Sequence, residues 1–193
     1  TQRSQFNLSM AGRFNQFSRI LAREPLSEQS YAFLLPRISL EHTFRTGRRI
    51  NFRYNTSINM PGPVQLFPVE NSLNQLSIYQ GNIDLTPEYQ HNVRLGWSIF
   101  DQFSFTSFFA RINATYTQNK ISWSQSVDET FLQTIRPVNV QEDVTANSFL
   151  YFSTPIRPLK VNINISSREN WNRTIVFINE EENINTNFTH SLD

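Results

Sequence analysis

Val93, Leu95, Trp97 and Ile99 alternate with Arg94, Gly96 and Ser98. A period of two is what a β-strand shows when its two faces meet different surroundings. Asp101 and Gln102 interrupt the run. A second arm then carries Phe108, Ala110, Ile112, Ala114 and Tyr116 on one face, with Phe109, Arg111, Asn113, Thr115 and Thr117 on the other. The stretch from His91 to Trp123 therefore predicts an antiparallel hairpin. Each arm is long enough for a tilted membrane-spanning strand of about 9–11 residues, and Lys120–Ser126 prolongs the second arm beyond that width.

The same pattern predicts strands over Phe6–Asn15, Ala32–Phe44, Arg49–Asn59, Ala146–Thr154, Val161–Ser166, Thr174–Ile178 and Asn183–His190, with a short β-like run at Thr134–Gln141. Thr46-Gly47-Arg48 and Pro155-Ile156-Arg157-Pro158 read as turns, since glycine accepts positive φ and proline fixes its own. Arg19–Ser30, with Pro25 and mixed charges, reads as a loop, and a further turn is expected near Arg168–Asn172. Between Met60 and Tyr89 the period vanishes. Pro61, Gly62, Pro63, Pro68, Gly81 and Pro87 punctuate the apolar anchors Leu66, Phe67, Leu73, Leu76, Ile78 and Tyr79, which predicts a long folded loop over 60–89. With no βαβ rhythm, the expected fold is all-β: an antiparallel meander of about eight or nine strands.

Composition allows two surroundings for such a sheet. The chain has 17 Phe, 6 Tyr and 3 Trp, yet a mean hydropathy of -0.44, because polar residues fill the alternate positions. A soluble sandwich and a transmembrane barrel both show this mixture. The net charge of +1 gives no pull towards nucleic acid, and no nucleic-acid partner is expected. Absence of cysteine excludes disulfides and thiolate chemistry. No apolar run reaches the roughly 20 residues of a transmembrane helix, which says nothing against a barrel. The opening TQRSQFNLSM lacks a signal-peptide pattern, so either a leader has been removed or this is an internal piece of a longer chain.

Three stretches are more specific: Phe52-Arg53-Tyr54-Asn55-Thr56-Ser57, Gln65-Leu66-Phe67-Pro68-Val69, and Ile78 to Tyr89 with its core Gly81-Asn82-Ile83-Asp84-Leu85-Thr86-Pro87-Glu88. Phe105-Thr106-Ser107-Phe108-Phe109 and Thr115-Tyr116-Thr117-Gln118-Asn119 follow in the hairpin. Together they resemble the outer-membrane β-barrel region of TonB-dependent receptor-like proteins from Bacteroidetes. The core stretch is similar to the G-N-P-x-L-x-P-E segment that precedes a late barrel strand there, with Ile83 in place of the proline. The resemblance runs over most of Arg49–Ile178. It implies a bacterial outer-membrane protein, non-enzymatic and without a cofactor, in which residues 1–193 form a partial barrel with the long loop 60–89. A whole member has about 22 strands, an N-terminal plug domain and a periplasmic TonB-contacting segment; neither of the last two is read in these residues. The implied work is energised uptake of a bulky solute: a metal chelate, a glycan or a peptide. The implied partners are outer-membrane lipid, the TonB system through parts absent from this chain, and a surface lipoprotein. A non-transporting structural or surface-complex barrel, and a secreted all-β carbohydrate-binding module, are the competing readings.

Candidate residues follow from the alternation. Arg48, Arg49, Arg53, Arg94 and Arg111 are lumen candidates, since a lumen tolerates charge, and could contact an anionic solute or pair with Glu41 and Glu70. Tyr79, Gly81, Asp84, Pro87, Glu88 and Trp123 are extracellular-loop candidates, either shaping an entrance or holding the loop's own backbone. Trp97 and Tyr151 are expected on the lipid-facing surface. The histidines His42, His91 and His190 lack metal-ligand spacing, and no metal site is expected. No G-x-S-x-G elbow or phosphate-binding glycine loop is present, and the adjacent Glu142 and Asp143 would point to opposite faces of a strand, so no catalyst is assembled.

Overall fold

The computed structural model describes residues 3–21, 24–44, 47–67, 71–74 and 76–193, and in it the alternation becomes eight long strands. These are β1 (Arg3–Leu21), β2 (Glu24–Thr43), β3 (Arg48–Asn59), β6 (Glu88–Asp101), β7 (Thr106–Val127), β8 (Gln133–Ile156), β9 (Val161–Ile178) and β10 (Glu181–Leu192). The insert between β3 and β6 carries one turn of helix, α1 (Pro63–Leu66), and two short strands, β4 (Asn71–Asn74) and β5 (Ser77–Tyr79). Thr46, Pro68 and Glu70 lie outside the described residues.

Consecutive long strands pair antiparallel throughout. At one end, the lower, the connections are short. Gly47 turns β2 into β3 at φ 85, and a Cβ there would lie 1.9 Å from the Phe100 carbonyl oxygen. Asp101 organises the next turn by accepting bonds from the Phe103 amide and the Ser104 hydroxyl. The third is a single 3₁₀ turn, Arg157–Leu159. At the upper end, β7 and β8 continue as a ribbon beyond Glu88, where β6 begins.

Three segments differ from the reading of the sequence. Arg19–Ser30 is mostly strand, because the β1–β2 ladder absorbs Pro25 at a register shift between Arg19 and Ile20. No turn forms at Arg168–Asn172, which runs straight through β9, since polar residues on the second face carry the alternation on. Pro137 and the Glu142-Asp143 pair likewise interrupt nothing, and β8 is one strand of 24 residues.

Among the described residues the sheet has no second layer: Leu95 is 38% exposed and Trp97 44%, so none of them packs over the apolar side there. The buried hydrophobic ones among the described residues, Leu85, Val140 and Ile175, lie at the upper end, where the insert and the ribbon meet the strand tops. Asn119, at φ 52, interrupts the β7–β8 ladder there, and above it Ser124 and Gln125 pair in parallel with Phe177 and Ile178 of β9. β5 occupies the other edge of the ribbon, in parallel with residues 133–135 of β8.

Candidate functional site: the polar face and its rim

Cross-strand register sorts the side chains into two faces. One row reads Tyr54, Val93, Ala114, Ala146, Trp171 and Phe188; another reads Ile50, Trp97, Ala110 and Leu150. The opposite face reads Asn55, Asn92, Thr115, Thr145 and Asn172, then Arg53, Arg94, Asn113, Asn147 and Asn170, then Asn51, Gly96, Arg111, Phe149 and Arg168. The first face suits hydrocarbon and the second suits water. An aromatic row, with Tyr54, Tyr89, His91 and Tyr116 in ring contact, closes the top of the apolar band. Level with it on the neighbouring strands the outward-facing Arg173 pairs with Glu142, which marks the return to polar surroundings. One polar cluster interrupts the band: Glu169 accepts from the hydroxyls of Ser148 and Ser167 and lies 3.2 Å from His190 Nδ1. Sequence reading missed it, because each member alone looks like an ordinary polar strand residue.

Four of the five predicted arginines share the polar face; Arg48, opposite Ile99, has the parity of Ile50 and Trp97 and so lies on the other side, at the lower turn. Arg49 pairs with Glu41 near the lower turns. Arg53 and Arg94 stand directly opposite one another. Arg94 Nε donates to Asn113 Oδ1 at 2.9 Å, and Asn113 Nδ2 donates to Asn147 Oδ1 at 2.8 Å, so part of this face is a cross-strand polar ladder. The Arg111 guanidinium lies 5.1 Å from the Phe109 ring centre, and Arg168 lies 5.2 Å from that of Phe149. Tyr151 is on this face too, opposite Phe109, contrary to the lipid-facing expectation: its neighbours Leu150 and Phe152 take the apolar side.

The rim candidates divide. Tyr79 and Trp123 meet edge to face at 6.1 Å, tying the insert to the ribbon. Gly81 is buried where a Cβ would lie 2.0 Å from the Phe67 carbonyl oxygen. Pro87 is buried at the entry to β6. Asp84 is exposed; the local backbone bond expected of it is made by Asn82, whose Oδ1 accepts from the Asp84 amide at 3.0 Å. Asn82 also receives Arg136 and donates to the Pro137 carbonyl, both at 3.0 Å. Asn139 Oδ1 accepts from the Thr86 amide at 2.8 Å, while its Nδ2 reaches the carbonyls of Thr86 and Asn119. These two asparagines lock the insert down, and only their positions in space distinguish them from the chain's many others.

Glu88 is 2% exposed and substitutes for a strand partner at the top of β6. Burial by itself would raise its pKa, but bonds from Asn59 Nδ2, the Ile121 amide and Lys120 Nζ outweigh that and hold the carboxyl below the ordinary range. Asp143 is buried as well. Among the described residues no three His, Asp or Glu side chains gather as metal ligands.

A lone sheet that is apolar on one side, polar on the other and tied by short turns at one end is the wall of a membrane-spanning β-barrel. The sequence model of the outer membrane protein beta-barrel family matches residues 15–192, and the chain belongs to that family. It is an outer-membrane β-barrel protein, of a family that is typically non-enzymatic. Comparison with curated proteins returned no match.

Proposed function

We propose that the chain is a barrel segment of a TonB-dependent receptor or transporter for a bulky solute: a metal chelate, a glycan or a peptide. The observation that carries this is the continuous polar face, in which Arg53, Arg94 and Arg111 run across three neighbouring strands and would line a water-filled path. The short turns at Gly47, Gln102–Phe105 and Arg157–Leu159 mark the periplasmic end, and the insert and ribbon mark the extracellular entrance. β1 and β10 each leave one edge unpaired among the described residues, and backbone groups cannot remain unpaired in hydrocarbon. Further strands of a larger barrel would satisfy them. In this reading TonB drives motion of a plug in the lumen, which couples energy to uptake along the polar face, and a surface lipoprotein caps the entrance.

Uptake by the whole protein in proteoliposomes, with and without an energised TonB system, tests the proposal. Uptake that needs both the plug and TonB is expected. Equal uptake without energy would leave a passive or structural barrel instead. The secreted carbohydrate-binding reading loses its footing, because it needs the Leu95–Trp97 side packed inside a water-soluble core.

A further inference from the structure

Arg53 and Arg94 are a like-charged pair placed directly across the β3–β6 ladder. Side chains in that relation stand about 5 Å apart at Cβ, and equal charges there repel. Four other cations among the described residues do pair with carboxylates: Arg49 with Glu41, Lys120 with Glu88, Arg173 with Glu142 and Arg168 with Asp193. Among the described residues none pairs with Arg53 or Arg94. The one side-chain acceptor bonded there among the described residues is the neutral Asn113 oxygen, on Arg94 Nε, which leaves the outer guanidinium nitrogens for another partner.

The two arginines line one concavity of about 140 Å³ on the polar face, with Asn55, Asn92, Asn113 and Thr115 among its other walls. Thr115 donates its hydroxyl to Asn92 Oδ1 at 3.0 Å and Arg94 donates to Asn113 Oδ1 at 2.9 Å, so the oxygens of these two amides already accept a bond, and their NH₂ groups already donate one hydrogen each, to Ser57 and to Asn147. Two guanidiniums with no acid among the lining residues suit an anionic oxygen group, since arginine forks bind carboxylate, sulfate and phosphate bidentately. The space takes a single such group and excludes an entire bulky solute.

We propose that this concavity is an oxyanion subsite on the wet path, taking one phosphate, sulfate or carboxylate group carried by the solute. The inference rests on the polar face being the lumen; it does not depend on TonB coupling. The whole protein in lipid nanodiscs would be titrated with inorganic sulfate, phosphate and acetate, read by calorimetry. Saturable binding of at least one of them is expected, weakened about tenfold or more in Arg53→Gln/Arg94→Gln, and only partly restored by lysine at both positions because the fork is lost. Lys160→Gln, in a lower turn, removes a charge away from the subsite and should change nothing. Equal binding by the wild type and the double glutamine variant overturns the subsite, as does weak non-saturating binding that Lys160→Gln reduces equally. Unchanged heat-modified mobility of each variant on electrophoresis checks that the barrel is folded. Loss of energised uptake with sulfate binding intact would instead count against the transporter reading alone.

Discussion

A few residues hold the upper end together, and each acts by a distinct mechanism. Gly81 leaves no room for a Cβ beside the Phe67 carbonyl, so Gly81→Ala should loosen the insert. Asn139 makes three bonds to the backbone; Asn139→Ala should cost about 1–2 kcal/mol of local stability because these bonds to half-buried and exposed backbone groups are lost. Hydrogen exchange at the Thr86 amide reads both changes, with faster exchange expected. Asp128 sets the ribbon tip. Its carboxylate accepts from the Thr130 hydroxyl and the Leu132 and Thr130 amides, which hold its pKa below the usual aspartate value. A depressed carboxyl pKa stabilises the folded tip above the ordinary value, about 3.9, and that support is lost as pH falls through the lower folded value. The Leu132 amide resonance should therefore titrate with a midpoint under the ordinary aspartate value and stop titrating in Asp128→Asn. A midpoint at or above the ordinary value contradicts the assignment.

At the scale of the element, the two faces of a strand carry opposite rules. Leu95 and Asn170 both lie in the spanning part of the sheet, one on each face. Arginine for Leu95 should cost about 2–4 kcal/mol of folding free energy near the middle of the bilayer. Arginine for Asn170 should shift it by no more than about 0.5 kcal/mol. Urea-dependent folding into lipid vesicles measures both, and comparable penalties would contradict the assignment of faces. The ribbon of β7 and β8 follows a different logic. Above Asn119 it has left the apolar band, and its stability comes from β5, β9 and the insert rather than from lipid.

The whole molecule is a wall rather than a globule, and its surroundings supply what a core would. In single-tryptophan variants, Trp97 and Trp171 should be quenched by brominated lipid tails, because both lie on the apolar face. Trp123, held against Tyr79 at the rim, should be spared. Quenching of Trp123 with Trp97 protected would reverse the sheet. The open edges of β1 and β10 belong to this scale too, since no local feature of either strand reveals whether its outer edge has a partner.

Period-two alternation was enough to find the meander, to put Arg53, Arg94 and Arg111 on one face and to place Trp97 on the other, because strand geometry ties residue parity to direction. It failed where local breaker signals were overridden. Pro25, Pro137 and the Arg168–Asn172 stretch sit inside strands because neighbouring ladders fix the backbone on either side of them. Only the tertiary structure opposed Arg53 to Arg94, brought Asn82 and Asn139 under the insert, buried Glu88 and gathered Glu169 with His190. Parity says which way a side chain points; register between strands far apart in the chain decides which side chains meet.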